Sequence, residues 1–396
     1  MDVTAHLRAA PGELVAYDLP AGPHWVEILA AHAESGASFL PVDQRLTERE
    51  KRRLLDRAGP TVVVHPDGED LFAPEGMPAE PDRDWAVVAT SGSTGEPKLA
   101  ELSRGALGAA VGGSLEALGI GADDPWIACL TPAHVGGLLV YLRSAFGGAP
   151  LTFHERFDPQ TLRSGAPPGA HVALVPTMLH RLVEAHMDLS RFGVLLVGGG
   201  RLDPALRDAA GGLGARVVST YGLTETGGGI VYDGIPFEGT HVRIAQDGGL
   251  ELRGPTLMDG YRHDPAATAT ALTSDGWLRS GDRGEVESDG RLRALGRADD
   301  AIRTGAETVW PDEVEAVLRT HPKVADVAVA GRPDPEWGER VAAFVVAADP
   351  GDPPTLEALR DHCRDALARF KAPRQLTLVG SIPRTPGGKL RRSELR

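Results

Sequence analysis

Short apolar runs alternate with helix-like segments over most of the first 300 residues of the chain. The apolar runs are rich in β-branched residues and predict strands at residues 38–42, 61–65, 85–89, 126–130, 150–153, 171–175, 194–197 and 216–220. Helices are predicted at residues 25–33, 47–58 and 103–118. This alternation favours an α/β fold of layered sheets and helices with largely parallel strands.

The pattern changes twice in the second half of the chain. From about His241, short strands at residues 241–244, 250–253 and 284–287 are joined by Gly/Asp turns, which predicts a more antiparallel region. Beyond Arg297-Ala-Asp-Asp300, a small α+β unit is predicted from helices at 312–319 and 355–366 and strands at 324–330, 340–346 and 375–379. A chain of 396 residues is too long for one compact core, and we predict two domains, residues 1–298 and 299–396.

Charge and cysteine content exclude several classes of protein. The formal net charge of −14 argues against nucleic acid as a partner, because a phosphate backbone favours a basic surface. Cys129 and Cys363 lie far apart and without metal-ligand spacing, so neither a disulfide nor a zinc site is indicated. The first 20 residues lack a signal-peptide pattern, and no apolar run approaches the ~18 residues of a membrane span. We therefore expect a cytoplasmic protein without membrane insertion.

The segment Thr90-Ser-Gly-Ser-Thr-Gly-Glu-Pro-Lys98 combines hydroxyls, glycines and a lysine. Glycines let backbone amides approach an anion closely, hydroxyls donate hydrogen bonds, and lysine supplies the countercharge. The segment is not a Walker motif, because Glu96-Pro97 stands between the last glycine and the lysine. It predicts a polyphosphate-binding loop, with a polar surface loop as the alternative. The residues of that loop are Thr90, Ser91, Gly92, Ser93, Thr94, Gly95 and Lys98.

The segment Ser219-Thr-Tyr-Gly-Leu-Thr-Glu-Thr-Gly-Gly-Gly229 follows a predicted strand, which is where α/β sheets usually bind ligands. Tyr221 can offer an aromatic face to a base, Thr224 a hydroxyl to a phosphate, and Glu225 a hard oxygen to Mg²⁺. A turn closed by a Thr–Glu cap is the alternative.

Two further segments carry groups suited to a nucleotide. Ser280-Gly-Asp282 and Gly296-Arg297 bracket a hairpin-like stretch, in which Asp282 can accept both hydroxyls of a ribose. An ordinary Gly-Asp turn is the alternative. Near the end of the chain, Lys389 lies on a glycine-rich loop inside a tract of arginines. This lysine can project towards an anionic centre, or the basic tail is simply solvated.

Together, and in this order, these segments resemble the adenylate-forming superfamily of acyl-CoA synthetases, peptide-synthetase adenylation domains and luciferases. The matching segments are TSGSTGEPK (90–98), PAHVGGL (132–138), VPTML (175–179), YGLTET (221–226), SGD (280–282), GRADDAIRTGAETVWPDEVE (296–315) and PRTPGGKLRR (383–392). The resemblance runs nearly from end to end. It implies a large ATP- and acyl-substrate-binding domain followed by a small, mobile C-terminal lid domain.

The resemblance also implies how the chain would bind ATP. The 90–98 loop would hold the β- and γ-phosphates, Thr224 the α-phosphate, and Glu225 Mg²⁺. Asp282 and Arg297 would bind the ribose hydroxyls. The residues bordering the adenine would be Gly198, Gly199, Gly200, Tyr221 and Gly222.

For the chemical steps, the resemblance implies roles for residues in both predicted domains. Lys389 would bridge the attacking carboxylate and the α-phosphate, where a cation stabilises developing charge. The C-terminal domain would then turn about Asp299, withdraw Lys389 and present residues 303–310 to a thiol. His134 would gate or line the acyl pocket.

The sequence departs from the superfamily pattern at three places. Leu99 replaces the glycine that usually follows the loop lysine, and Gly305-Ala306 replaces a Gly-Gly pair. The phosphate loop begins only 90 residues into the chain, which predicts an N-terminally trimmed form of the fold. Compact members of this kind resemble o-succinylbenzoate–CoA ligases of menaquinone biosynthesis, and the segment AHVGGLLVYLRSAFGG (133–148) is particularly similar.

We therefore predict an ATP-dependent acid–thiol ligase that forms an acyl-adenylate and then an acyl-CoA, with o-succinylbenzoate as the acid. Its co-substrates would be ATP, CoA and a small carboxylic acid, with Mg²⁺ as cofactor; a homodimer is left open. Arg143 and Thr177 are candidates for binding a second carboxylate, although Arg143 can equally be a helix arginine that pairs with surface acids. The alternatives for function are another aryl or acyl acid, a carrier-protein thiol in place of CoA, or a non-catalytic nucleotide-binding sensor, against which Lys389 argues.

Overall fold

The computed structural model describes residues 12–71, 85–90, 97–121, 123–305, 307–364, 366–384 and 390–395. The chain divides into two compact units: unit 1 is Met1–Val242 with Leu252–Arg279, and unit 2 is Arg243–Glu251 with Ser280–Arg396. This division places residues 280–298, which precede Asp299, in unit 2. The sequence analysis places the domain boundary at residues 298/299, and that boundary stays a prediction.

Unit 1 contains eight helices: α1 (His24–Ser35), α2 (Glu48–Ala58), α3 (Arg104–Leu118), α4 (Val135–Gly147), α5 (Pro159–Gly165), α6 (Pro176–Glu184), α7 (Pro204–Gly212) and α8 (Pro265–Ala271) within the described ranges. The sequence of α2 shows why these segments are helical. Thr47 and Glu50 form a reciprocal capping box at its first turn, and Gly59 ends it in the left-handed conformation. Within the described residues, no helix is long and apolar enough to cross a membrane.

Two seven-stranded sheets form the centre of unit 1. The first consists of β1 (Leu14–Tyr17), β2 (Ser38–Pro41), β3 (Val62–His65), β4 (Gly68–Leu71), β5 (Ala86–Thr90), β6 (Lys98–Leu102) and β16 (Gly260–Tyr261). Its order is β16-β6-β5-β2-β1-β3-β4. The inner strands β5, β2, β1 and β3 are parallel, whereas β4, β6 and β16 are antiparallel to their neighbours.

The second sheet of unit 1 consists of β7 (Trp126–Ala128), β8 (Leu151–Phe153), β9 (His171–Leu174), β10 (Val194–Val197), β11 (Arg216–Leu223), β12 (Gly228–Tyr232) and β13 (Ile235–Pro236). Its order is β13-β12-β11-β10-β9-β7-β8, and the strands from β11 to β8 are parallel. The predicted α/β fold is confirmed, with parallel strands at the centre of both sheets. Antiparallel strands were not predicted for unit 1, and they extend one edge of the second sheet and both edges of the first.

Unit 2 is built mainly from antiparallel strands. A four-stranded sheet, most of whose residues belong to unit 2, has the order β14-β15-β17-β18, with β14 at His241–Ile244, β15 at Gly249–Arg253, β17 at Leu278–Val286 and β18 at Leu292–Arg297. A five-stranded sheet contains β19 (Ile302–Thr304), β20 (Glu307–Val309), β21 (Val324–Asp334), β22 (Gly338–Ala347) and β23 (Gln375–Leu378). Helices α9 (Pro311–Leu318) and α10 (Leu356–Arg364) share an apolar core with this sheet.

Candidate functional site

The predicted phosphate loop connects two antiparallel strands. Thr90, the last residue of β5, lies opposite Lys98, the first residue of β6. The intervening residues Ser91, Gly92, Ser93, Thr94 and Gly95 lie outside the described residues. The sequence predicts a strand at residues 85–89, then the loop, then a helix at residues 103–118, with no strand between the loop and the helix, so β6 is a correction. Because β6 pairs with β5, Lys98 is held at the base of a hairpin rather than at the start of a helix.

The glycines predicted to border adenine meet the Tyr221 segment at the carboxyl edge of the second sheet. The last residue of β10, Val197, is paired with Ser219 of β11, so the residues that follow each of them lie side by side. A Cβ on Gly198 would come within 2.7 Å of Thr220 Cγ2, and only glycine fits there without displacement. Gly199 and Gly200 are exposed beyond this contact.

The start of α6 borders the same glycines. A Cβ built on Gly199 would lie 3.4 Å from Val175 Cγ1, and one built on Gly200 would lie 3.6 Å from Pro176 Cγ. Thr177 follows in the first turn of α6 and is exposed. The structure therefore places Thr177 near the predicted nucleotide edge, and its predicted role in the acyl pocket stays a prediction.

Glu225 is held by two groups from a segment that the sequence analysis did not single out. It lies in a 3₁₀ turn, Thr224–Thr226, directly after β11, whose last three residues are Tyr221, Gly222 and Leu223. The Tyr261 hydroxyl donates to Glu225 Oε1 at 2.7 Å, and the Met258 N–H donates to the Glu225 carbonyl at 2.8 Å. The ammonium of Lys98 lies 4.8 Å from the centroid of the Tyr261 ring.

His134 contacts an acid–base pair that follows β2. Its Nε2 lies 3.1 Å from Asp43 Oδ2 and 2.9 Å from Arg45 Nη2. Arg45 also donates to both carboxylate oxygens of Asp43, at 2.9 and 2.7 Å. Burial raises the pKa of Asp43, but hydrogen bonds from His134 and Arg45 outweigh it and hold that pKa well below its ordinary value. The one sequence signal for this pair is that Asp43 and Arg45 follow a predicted strand. Their contact with His134 is tertiary and has no local signal.

Arg143 is buried inside unit 1, with an exposed fraction of 1%. Its Nη2 donates to Ser114 Oγ at 2.7 Å, and the guanidinium carbon lies 4.2 Å from the centroid of the Trp126 ring. Within the described residues no carboxylate pairs with Arg143, and its Nε has no hydrogen-bond partner. Burial lowers the pKa of Arg143 to about 10, so the group is still charged at neutral pH. The alternative of a surface arginine paired with acids is wrong.

The predicted ribose-binding residues lie opposite each other in unit 2. Asp282 of β17 pairs in register with Arg297 of β18, and the Arg297 Nη1 lies 3.4 Å from Asp282 Oδ1. The same Nη1 donates to the Ser280 carbonyl at 2.8 Å. The Ser280 hydroxyl in turn accepts from the Asp282 N–H and donates to the Leu250 carbonyl. The hairpin predicted between these segments is confirmed, and it presents a largely buried carboxylate beside an arginine.

The residues on either side of Lys389 are anchored, although Lys389 itself lies outside the described residues. Arg384 and Leu390 form an isolated antiparallel bridge, and Arg384 donates to both carboxylate oxygens of Asp326 at 3.0 Å. On the other side, Arg392 contacts a group of three acids. They are Asp300 (Arg392 Nε to Oδ2, 3.4 Å), Asp312 and Glu315. The predicted hinge residue Asp299 precedes the first of these acids, in the 3₁₀ turn Ala298–Asp300.

Comparison with known proteins identifies the class to which this fold and these residues belong. A model of the AMP-binding enzyme family matches residues 73–262, and a model of the AMP-binding enzyme C-terminal domain matches residues 313–389. The chain therefore belongs to the AMP-binding enzyme family. Its predicted membership of the adenylate-forming acyl-CoA synthetases is confirmed.

Several relatives are similar over most of their length. The chain is 38% identical to a probable 2-succinylbenzoate–CoA ligase of Mycobacterium tuberculosis over 358 residues, which is 87% of this chain and 92% of that protein. It is 33% identical to a feruloyl-CoA synthase of an Amycolatopsis species, over 98% of this chain and 90% of that protein.

Solved structures give the same picture of the fold. The o-succinylbenzoate CoA synthetase of Bacillus subtilis, in complex with its acyl-adenylate intermediate, superposes with a TM-score of 0.88. The two sequences are 25% identical, and the match covers 99% of this chain and 90% of the other. A second structure of that synthetase contains ATP and magnesium and is 26% identical, with a TM-score of 0.86 over 99% of this chain and 91% of the other.

Proposed function

We propose that this protein joins 2-succinylbenzoate to coenzyme A through an acyl-adenylate, as a step of menaquinone biosynthesis. The proposal is supported by the 2-succinylbenzoate–CoA ligase relative of Mycobacterium tuberculosis and by the Bacillus subtilis synthetase that binds the corresponding acyl-adenylate. In the first step a carboxylate oxygen of the acid attacks the α-phosphorus of ATP, and pyrophosphate leaves. In the second step the CoA thiol attacks the acyl carbon, a thioester forms, and AMP leaves with the proton of the thiol transferred to solvent or base.

The residues around Glu225 are suited to Mg²⁺ and the polyphosphate of ATP. Mg²⁺ prefers one or two carboxylates together with substrate phosphates, and it does not need a cage made only of protein ligands. Glu225 has one oxygen held by Tyr261, which leaves the second oxygen able to face a cation. Bound Mg²⁺ would neutralise charge on the phosphates, while Thr224 would contact the α-phosphate and Lys98 the β- and γ-phosphates.

In unit 2, the hairpin of β17 and β18 supplies groups suited to a ribose. Asp282 has an exposed fraction of 7%, and a buried carboxylate is a strong acceptor for two hydroxyls. Arg297 beside it supplies a countercharge and adds donors of its own. We propose that this pair binds the ribose, as the superfamily resemblance implies.

The observation that carries the choice of acid within unit 1 is the burial of Arg143 without a carboxylate partner among the described residues. A buried guanidinium is costly unless an anion compensates it. 2-Succinylbenzoate has two carboxylates, one on the aromatic ring and one on the succinyl side chain, so activation of either leaves the other free, and Arg143 is the cation proposed to bind it. Ferulate has one carboxylate and would leave Arg143 without this partner.

The acid is tested by ATP–pyrophosphate exchange with a panel containing 2-succinylbenzoate, ferulate and benzoate, followed by detection of the CoA thioester. We expect exchange and thioester formation with 2-succinylbenzoate. A preference for ferulate would favour the second candidate, which the feruloyl-CoA synthase relative supports. Exchange without acylation of free CoA would point to a carrier-protein thiol, and nucleotide binding without exchange would point to a sensor.

Three predictions on the protein as a whole belong to the same proposal. Both cysteines are buried and unpaired, which suits a reducing cytoplasm. A homodimer is left open, whereas a lid that turns about Asp299 is implied by the superfamily resemblance; neither rests on a contact described above. Light scattering on a size-exclusion column measures the oligomeric state. The lid is tested by trapping the protein in one state with an acyl-adenylate analogue.

A further inference from the structure

We propose that Tyr261 is a positioning residue for MgATP, which orients the Glu225 carboxylate towards the metal and holds the Lys98 ammonium at the base of the phosphate loop. The inference rests on the proposed function, because it assumes that Glu225 and Lys98 serve the polyphosphate. Tyr261 would act through these two side chains rather than by touching the reacting atoms.

A single aromatic side chain contacts both groups. The Tyr261 hydroxyl is 2.7 Å from Glu225 Oε1, and the Lys98 Nζ is 4.8 Å from the centroid of the Tyr261 ring. The ring is almost fully buried, with an exposed fraction of 8%. The cationic and anionic groups assigned to the nucleotide are therefore coupled through one buried phenol.

The backbone around Tyr261 is fixed to the same two elements. In β16, Tyr261 pairs with Ala100 of β6, two residues after Lys98. The Met258 N–H donates to the Glu225 carbonyl, and the Tyr261 N–H donates to Thr268 Oγ1 at 2.8 Å. Because residues 258–261 bind β6 on one side and the Glu225 turn on the other, the phenol has little freedom to move away from either partner.

The two contacts have different chemical consequences. A hydrogen bond to one oxygen of a ligating carboxylate fixes its orientation, and loss of such a partner typically costs ~10- to 100-fold in metal affinity or activity. A lysine over an aromatic face is attracted by the negative face of the ring, which favours a defined position for an otherwise flexible ammonium. The hydroxyl is therefore expected to govern the response to Mg²⁺, and the ring is expected to govern nucleotide binding in the absence of Mg²⁺.

Calorimetry separates these contributions without turnover, using the full chain and the ATP analogue α,β-methylene-ATP with and without Mg²⁺. In Tyr261→Phe we expect the Mg²⁺-free Kd to be unchanged, while the tightening produced by Mg²⁺ shrinks by about tenfold or more. In Tyr261→Leu the Mg²⁺-free affinity is expected to fall as well, because Lys98 loses the ring. The Mg²⁺ concentration for half-maximal ATP–pyrophosphate exchange should rise in Tyr261→Phe with little change in the KM for the acid.

Tyr17→Phe is the matched control, because it also removes the hydroxyl of a buried tyrosine, one that is bound to His32 at 2.7 Å. A wild-type response to Mg²⁺ in Tyr261→Phe, or an equal loss in Tyr17→Phe, would overturn the inference. The inference would also be overturned if the wild-type Kd for α,β-methylene-ATP were the same with and without Mg²⁺. None of these outcomes involves the acid, so thioester formation from 2-succinylbenzoate in the same preparation would still support the proposed function, and its absence would leave the calorimetric test intact.

Discussion

At the scale of single residues, Arg143 combines a cost to stability with a proposed gain in specificity. Its guanidinium is buried against Ser114 and Trp126, and no carboxylate among the described residues compensates its charge. Replacing a buried charge by an apolar side chain of similar volume is often neutral or stabilising. A residue kept there for the substrate should therefore show opposite effects on stability and on activity.

For Arg143→Met we expect an unchanged or higher Tm and a loss on the order of 10²-fold in kcat/KM for 2-succinylbenzoate, because a charge pair with the free carboxylate is removed. Activity towards ferulate, measured in the same ATP–pyrophosphate exchange assay, is the internal control and should change little. Equal losses for both acids, together with a lower Tm, would instead show that Arg143 serves the core alone.

A substitution at Gly281 tests the proposed ribose site. Its φ is +74°, and an added Cβ would meet Arg297 Nη2 at 2.7 Å. In Gly281→Ala the guanidinium must move away from Asp282, and we expect the KM for ATP to rise about tenfold from the weakened charge-assisted contact. Gly290 lies in the same hairpin with φ +86° and has no atom within 4 Å of the added Cβ. Gly290→Ala therefore carries the backbone strain without the collision, and an equal rise in KM there would exclude displacement of Arg297 as the cause.

At the scale of elements, Arg392 connects the segment after Lys389 to helix α9 and to Asp300, which follows the predicted hinge residue. Arg392 contacts Asp300, Asp312 and Glu315, and it donates to the Val329 carbonyl of β21 at 3.0 Å. Burial lowers the pKa of Arg392, but Glu315 and the two aspartates outweigh it and hold that pKa above its ordinary value. Arg392 is therefore largely buried in unit 2, and the alternative of a merely solvated basic tail is wrong for this residue.

Removing this arginine should destabilise unit 2. In Arg392→Met, Glu315 is left buried without its main countercharge, and we expect a loss of about 3–5 kcal/mol in unfolding free energy. Hydrogen exchange of the β21 amides measures this loss within unit 2. The neighbouring Arg391 pairs with Glu394 on the surface, and Arg391→Met should cost no more than about 1 kcal/mol. Similar protection in both variants would contradict a structural role for the Arg392 cluster.

The elements also show where local sequence patterns are sufficient. The strand predicted at 194–197 is β10, and the helix predicted at 47–58 is α2 with Thr47 as its cap, because periodicity and caps are local properties. The strand β6 was not predicted because Lys98–Leu102 is short and its residues, KLAEL, favour helix, so that only pairing with β5 makes this segment a strand. The strand β12 begins with two glycines, whose low strand propensity is overridden by pairing with β11.

At the scale of the whole molecule, the residues with a proposed role in adenylation come from distant parts of the chain. Thr224 and Glu225 belong to unit 1, whereas Asp282, Arg297 and Lys389 belong to unit 2. By the superfamily resemblance, Lys389 would serve adenylation and residues 303–310 would face the thiol, so the two half-reactions would depend on different residues of the same chain. The two half-reactions should be separable by mutation.

Lys389→Ala is the variant that separates them. We expect ATP–pyrophosphate exchange to fall by ~10²–10³-fold, because a cation at the developing phosphorus charge is lost. Binding of α,β-methylene-ATP by calorimetry should survive, and so should formation of the thioester from chemically prepared acyl-adenylate and CoA. Unchanged exchange would contradict the proposed mechanism, and loss of nucleotide binding would assign Lys389 to binding rather than to catalysis.

The sequence by itself determined the superfamily, its α/β fold and the candidate groups for ATP, because residue types in ordered motifs carry that information locally. It could not determine the partners of those groups. Tyr261 lies 36 residues from Glu225, and Asp43 contacts His134 across more than 90 residues of chain. Only the tertiary structure decided that Arg143 is buried rather than paired at the surface, because burial depends on how α4 packs against its neighbours. Hydrophobic packing brings distant segments together, and the electrostatic setting of each motif residue follows from that packing.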